Sequence, residues 1–465
     1  MEAGPTLLVD VPPDRRAERE YVLSVLLGEW LRIPYVVRVT DGLAETRLSL
    51  RGTEGPVVTC PDVLFGSSTG WMRPESLPVV GPARPLDAWT GRTVSVPLLY
   101  PTAGANDPVT RDGDRIVLGW DLLGSLFFML ARYEEHVLQD RDEHGRFPSA
   151  AGMLTRSGWH QWPLADIYLH VFAATLNLAW PALRLAPDPS GGLAVGHDVD
   201  HPSSSMRWHG SERLRVVAGD VLRRRDPDLA LRRAGAFLPW SPPLTAGDPF
   251  SSFDTLMRAS ERVGLASTFY FLTADTAAPF GSSYRVSDHW ARRLLEEIAG
   301  RGHWIGLHGS YGSHVDPRKL AGEWSLLEAA CAGIESQLRR TVRQHYLRWA
   351  PGATWAAQAA AGLAEDETLG FSDTIGYRAG TARSFPAFDL PTGRVLPLRV
   401  RPLHAMDAAL ARMPGSEEEV LVRLVELRRR TSVYGGTFSV LWHNSSLETN
   451  AARRRYEVLV RDLAS

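Results

Sequence analysis

Beyond residue 193, short apolar runs alternate with longer segments whose apolar residues recur every three or four positions. The runs Leu193–Asp200, Ala266–Leu272, Trp304–Gly309, His345–Trp349, Phe371–Thr374 and Thr437–Asn444 have the length and composition of strands. Between and after them, helical spacing covers Phe253–Val263, Ser287–Gly300, Pro317–Arg339, Thr354–Leu363, Ser416–Arg430 and Ala451–Leu463. Such alternation predicts a parallel sheet or a βα barrel. A long insert, 202–250, rich in Arg, Trp and Pro, separates the first strand from its helix and is expected over or beside the barrel mouth.

The pattern changes before that point. Helical spacing runs from Ala17 to Trp30, followed by strand-like runs at Tyr35–Val39, Thr46–Leu50, Val57–Thr59 and Thr93–Leu98. Helices are expected from Asp121 to Leu138 and from Pro163 to Trp180. Residues 186–192 (Ala-Pro-Asp-Pro-Ser-Gly-Gly) form a loop cluster between the two regimes. The chain therefore divides into a smaller α/β domain, 1–188, and a larger α/β domain, 189–465.

Composition narrows the function. The chain has 465 residues, enough for two domains, and a formal net charge of -2, so no global field favours nucleic acid or an anionic membrane. Lys319 is the sole lysine; arginine carries the other positive charges, a compositional bias rather than phosphate recognition. Cys60 and Cys331 form no CxxC pair, which excludes a cysteine zinc site and argues against a disulfide framework. The start of the chain lacks a basic, then apolar, leader, and no apolar stretch approaches the roughly 20 residues of a membrane span. A cytoplasmic location is expected, with a small-molecule or oligosaccharide substrate and neither nucleic acid nor membrane as partner.

The polar residues at the strand ends are the main chemical signal. Asp198 and Asp200 end the first run, and His308, Arg348, Asp373 and His443 end later ones. In a βα architecture these ends converge on one face, where active sites are built. Asp198 and Asp200 are two apart and share a strand face. Close carboxylates repel unless a cation intervenes, so a divalent metal bound by one would leave the other free as a base. Capping of the following turn is the plainer alternative. His308 at a strand end suits zinc, and His314 on the next loop is a second ligand or an exposed loop histidine. His303, before its strand, reads as structural.

These segments resemble, in order, the motifs of the polysaccharide deacetylase family, also called the NodB-homology or carbohydrate esterase 4 fold. Gly196-His197-Asp198-Val199-Asp200-His201 stands where the family has Thr-Phe-Asp-Asp-Gly, and Ser267–Tyr270 resembles its next strand. Gly302–His308 is similar to Gly-His-Glu-Ile-Gly-x-His, Arg343–Arg348 to the Arg-bearing motif, and Leu441–Asn444 to the final histidine motif. In the first domain, Phe127–Glu135 and Asp142–Pro148 resemble a domain that precedes such enzymes in a two-domain bacterial subgroup. The resemblance implies a distorted (β/α) barrel catalytic domain preceded by the smaller α/β domain. It implies a metal-dependent hydrolase, zinc being the expected ion, that removes an N-acyl group, acetyl first among them, from an amino sugar or a small molecule containing one. By position, Asp198 is the base, Asp200 and His308 are metal ligands, His443 is the acid, Arg348 orients the base and Asp373 tethers His443.

Two positions depart from the family. His308 and His314 are separated by five residues where the family has three, which leaves the third ligand open among His314, His201 and His197. Asp-Val-Asp replaces Asp-Asp, which leaves the roles of Asp198 and Asp200 exchangeable. The altered spacing motivates a second reading, hydrolysis of a formamide or cyclic amide on the same barrel. A third is an inactive carbohydrate-binding barrel, disfavoured by the retained acid and base. Gly66-Ser67-Ser68-Thr69-Gly70 matches a nucleophile elbow, but Trp71–Pro74 is a poor helix start. Asp140–Gly145 mimics a calcium loop without its closing Glu and reads as a solvated turn. Arg223-Arg224-Arg225 reads as a solvated helix face.

Overall fold

Most of the apolar runs beyond residue 193 become strands of one parallel-rich sheet. The computed structural model describes residues 5–67, 70–102, 104, 107–245, 247–274, 280–281 and 283–465. Ser68, the nucleophile-elbow candidate, lies outside the described residues. The chain forms two compact units: one comprises 1–192, 376–402 and 429–437, the other 193–375, 403–428 and 438–465.

Seven strands carry the second unit: β1 (Gly191–Val199), β2 (Thr268–Phe271), β3 (Trp304–Gly309), β4 (Leu338–Gln344), β5 (Glu365–Asp366), β6 (Ala405–Met406) and β7 (Gly436–Leu441). Their order is β5-β4-β3-β2-β1-β7-β6. Tyr270 pairs with Asp198, His308 with Arg343 and Met406 with Leu441, each in a parallel ladder. Because the pairs are parallel, the C-terminal ends of these strands share one edge. The result is a mixed α/β unit with a curled half-barrel sheet. Helices Phe253–Glu261, His289–Gly300 and Pro317–Ala330 cover it, burying Leu256, Leu295, Ile298, Leu320 and Leu327 against Phe269, Ile305, Leu307 and Val342. Fully burying one such side chain is worth roughly 1.5–3 kcal/mol.

Two expected strands differ. The expected strand His345–Trp349 is instead a turn that follows β4, because Tyr346 and Leu347 take left-handed φ values of 62° and 52°. Phe371–Thr374 is irregular, and the short β5 takes the place beside β4. There Asp366 accepts hydrogen bonds from Trp355, Gln358 and the Thr368 backbone, which pins the turn after β5.

Among the described residues, the 202–250 insert contains the short helix Ser204–Arg207 and two longer ones, α1 (Ser211–Leu222) and α2 (Pro227–Ala236). Asp248 anchors its base by accepting from Ser203, Ser204 and the Phe250 backbone. Arg233, fully buried, joins α2 to Asp220 at 2.7 Å and to Glu448 at 2.9 Å.

In the first unit, Leu7–Val11 is a strand whose alternate residues are buried. It lies between Tyr35–Val39 (parallel) and Glu45–Leu50 (antiparallel) in a six-stranded mixed sheet. Of the expected strand Thr93–Leu98, only Ser95–Val96 pairs. The expected helix from Asp121 to Leu138 breaks in two, Leu122–Leu130 and Tyr133–Val137, because Arg132 adopts φ 53°. That break turns Arg132 onto the buried Glu135 (2.8 Å), which Arg378 grips from the other side (2.6 Å). Asp142 closes its own turn by accepting from the His144 and Arg146 backbones, in keeping with a turn rather than a cation loop.

Candidate metal and catalytic site

Asp200 follows the last residue of β1, His308 lies near the end of β3 and His345 follows β4. One ligand atom from each lies within 4.8 Å of the others. Asp200 Oδ1 is 3.1 Å from His308 Nε2 and 3.5 Å from His345 Nδ1, and the two nitrogens are 3.0 Å apart. The Nδ1 of His308 sits 2.8 Å from the Arg343 carbonyl, which can only accept, so that nitrogen carries the proton. In the neutral ring Nε2 then presents a lone pair to the cluster. Burial works against a charged His308, but Asp198 and Asp200 raise its pKa, whereas burial pushes the pKa of His345 down to about 4. Asp200 Oδ1 is buried and receives no well-directed hydrogen bond.

Two imidazole nitrogens, within hydrogen-bonding distance of each other, and a carboxylate oxygen therefore converge on one point. The spacings also fit a cation: tetrahedral ligands at about 2.1 Å from zinc lie about 3.4 Å from one another. The His308 proton on the Arg343 carbonyl is the outer hydrogen bond that ordinarily orients a metal-bound imidazole. The residues present thus fit a divalent metal.

Around this centre stand two further arrangements. Asp198, buried, accepts from Arg343 Nη1 at 2.8 Å, and its other oxygen is 3.8 Å from His308 Nε2. Arg343 spans from Asp198 to Glu367 (3.0 Å) and lies over the Tyr270 ring. Gly196 makes room for it: a Cβ there would lie 2.6 Å from Nη1. On another side, His443 follows β7 by one residue and turns Nε2 to within 3.6 Å of Asp200 Oδ2. Its Nδ1 meets Asp407, just past β6, at 2.7 Å; Asp407 also accepts from the His443 backbone and from Ser446 Oγ. Burial disfavours the imidazolium of His443, yet the Asp407 carboxylate outweighs it and pushes the pKa up to about 10. Asp200 is held well below the usual carboxylate range: burial opposes this, and the surrounding histidines, His345 first, overcome it.

The structure thus brings together Asp198, Asp200, His308 and His443. The other residues singled out from sequence lie elsewhere. Arg348 hydrogen-bonds the Tyr311 carbonyl and stacks on the Tyr311 ring, and the guanidinium on Asp198 is Arg343. Asp373 is exposed, and the carboxylate on His443 Nδ1 is that of Asp407. His314 stands outside the three-residue group; burial, with Arg348 nearby, lowers its pKa to about 4. His197 is a core residue, hydrogen-bonded to the Trp442 carbonyl and packed on Phe269. His201 also lies outside the group. His303 accepts from the Ser267 backbone, in a structural place.

Arg343, His345, Glu367 and Asp407 were not given roles from sequence. Arg343 and His345 stood inside a motif already singled out, and moving the strand end back from residue 349 to residue 344 would have exposed them. Asp407 follows a strand of only two residues, too short to register as a strand end.

Residues 7–181 match a family model described as a family of unknown function (DUF7033). No curated protein matches the chain. Among solved structures, the chain is similar to a Mycobacterium smegmatis protein provisionally described as a polysaccharide deacetylase. The identity is 14% and the TM-score 0.35, over 60% of this chain and 86% of that one. A similarity of that degree assigns no activity.

Proposed function

We propose that the second unit is a metal-dependent hydrolase that removes an N-acyl group, acetyl in the first instance, from an amino sugar or an amino-sugar-containing small molecule. The observation that carries the reading is the arrangement of three potential ligands, Asp200, His308 and His345, between an Arg343-held carboxylate and an Asp407-held imidazole. A divalent cation at those ligands, zinc by the chemistry of the donor set, supplies Lewis acidity that polarises the acyl carbonyl and acidifies water.

The chain's own groups account for the proton traffic. Asp198 takes the proton of the attacking water; Arg343 fixes the carboxylate and keeps it an acceptor. Water oxygen bonds to the acyl carbon as the C–N bond breaks. His443, kept protonated by Asp407, delivers its Nε2 proton to the departing amine. Each positioned acid or base contributes roughly 10²–10⁴-fold. Phe280, Tyr311 and Tyr346, on the loops after β2, β3 and β4, pack edge-on or stacked with one another, and the Tyr346 ring lies 4.6 Å from that of His345. Such partly exposed rings offer apolar faces beside the centre on which a sugar can lie. The formamide or cyclic-amide reading rested on the unusual His308–His314 spacing, and His345 as third ligand removes that motive.

The test is release of acetate or formate from a panel of N-acyl amino sugars by the metal-loaded full chain. Turnover that disappears in Asp198→Asn and His443→Ala supports the reading. Absence of turnover across the panel, or full activity in both variants, overturns it.

A further inference from the structure

The insert helix α1 is inverted. Its one buried residue is Asp220, while Leu214, Ala218, Val221 and Leu222 are exposed. Those four positions follow the i, i+4, i+7, i+8 spacing of a single helix face, so the apolar stripe faces solvent. Leu214 and Leu222 are 77% and 76% exposed. The same holds beyond α1: Leu231 on α2 is 74% exposed and Trp240, just after it, 77%. A helix that buries its acid and shows its leucines lacks the surface it is built to meet.

The charges around the stripe identify that surface. The Arg223 and Arg225 side chains are exposed and have no ion-pair or hydrogen-bond partner among the described residues, and the Arg215 guanidinium reaches the Ser211 hydroxyl. Of the acidic residues nearby, Asp220 pairs with Arg233 and Arg224, Asp226 caps α2, Asp228 lies 4.0 Å from Arg232, and Glu212, exposed in the first turn of α1, accepts from the His209 backbone. Exposed leucines and a tryptophan flanked by unpaired arginines are the signature of a helix lying in a lipid–water interface. A second copy of the chain laid on this face would set arginine against arginine. Anionic headgroups supply the missing negative charge.

We propose that the α1–α2 arm docks on an anionic lipid bilayer. Leu214, Leu222, Leu231 and Trp240 enter the boundary between headgroups and acyl chains, and Arg215, Arg223 and Arg225 pair with lipid phosphates. Sequence analysis expected no membrane partner from the whole-chain charge of -2. The local distribution on the arm carries the opposite information. The arm belongs to the connection that leaves β1 just beyond Asp200, so docking brings the edge of the sheet that holds the candidate site to the membrane. The inference stands on the arm alone and does not depend on the reaction proposed above.

The test is co-sedimentation of the full chain with vesicles of three parts phosphatidylcholine to one part phosphatidylglycerol, and with pure phosphatidylcholine. Binding is expected to the anionic vesicles, to weaken with salt, and to fall about tenfold or more in Leu222→Glu/Leu231→Glu. The pair Arg223→Glu/Arg225→Glu, which breaks no contact in the fold, is expected to cause a similar loss. Equal binding to neutral vesicles, unchanged binding by either double variant, or no pelleting of the wild type overturns the proposal. So does a dimer, seen by sedimentation velocity, that Leu222→Glu dissociates in a chain that does not bind vesicles.

Discussion

At the scale of single residues, the site depends on which side chain holds which. His443 works as an acid only if its Nδ1 proton is held and its Nε2 points at the centre, and Asp407 does both. Asp407→Asn is therefore expected to lower kcat by about 10²-fold while bound metal stays unchanged, since Asp407 touches no metal ligand except through His443. Steady-state kinetics with metal analysis of the same preparation checks this; loss of metal in the variant would assign Asp407 to the centre itself. Asp198, Asp200, His308 and His443 were legible in the sequence because each lies at or near the end of a long apolar run. Their partners were not. Arg343 reaches Asp198 from a strand three places away in the sheet, and nothing in local spacing distinguishes it from Arg348, five residues on. His345 became visible only once the left-handed φ of Tyr346 and Leu347 ended β4 at Gln344.

At the scale of elements, the sheet register turns these separate residues into one site. Gly196 lies in β1, two positions before Asp198, and its missing side chain is the space the Arg343 guanidinium occupies. Gly196→Ala would put a methyl group 2.6 Å from Arg343 Nη1. The guanidinium is buried and cannot swing into solvent, so Asp198 loses its fixed partner. Activity is expected to fall about 10²-fold with metal content retained. Normal activity in this variant would show that Arg343 has room to spare. Strands and helices of the second unit were largely readable because a parallel sheet uses long, uniformly apolar runs. What spacing could not show was curvature, the short strands β5 and β6, or the break at Arg132, where a helical pattern is interrupted by one left-handed residue.

At the scale of the whole molecule, the division into units is discontinuous: 376–402 and 429–437 belong with 1–192. No loop cluster marks those crossings, and contacts between residues far apart in sequence, ion pairs and hydrogen bonds among them, hold the segments together. Glu135, held between Arg378 and Arg132, is one such tie. Burial works against its ionisation, but the two arginines bring its pKa down from 4.5 to about 2. A carboxylate depressed in this way stabilises the fold above the unfolded pKa, and the contribution fades as pH falls toward 2. Glu135→Gln removes the carboxylate held between two buried guanidinium groups, of which Arg132 keeps Glu134 at 3.4 Å, at a cost of about 3–5 kcal/mol at neutral pH. Urea melts of wild type and variant should differ most above pH 5 and converge toward pH 2; a gap independent of pH would contradict the charge argument. The central claim is that one metal is held by Asp200, His308 and His345. Its most direct test is the metal content per chain, by inductively coupled plasma mass spectrometry, of wild type, His345→Ala and His314→Ala loaded identically. One zinc per chain in wild type and His314→Ala, with its loss in His345→Ala, is the predicted result; full retention in His345→Ala, or loss in His314→Ala alone, would contradict it.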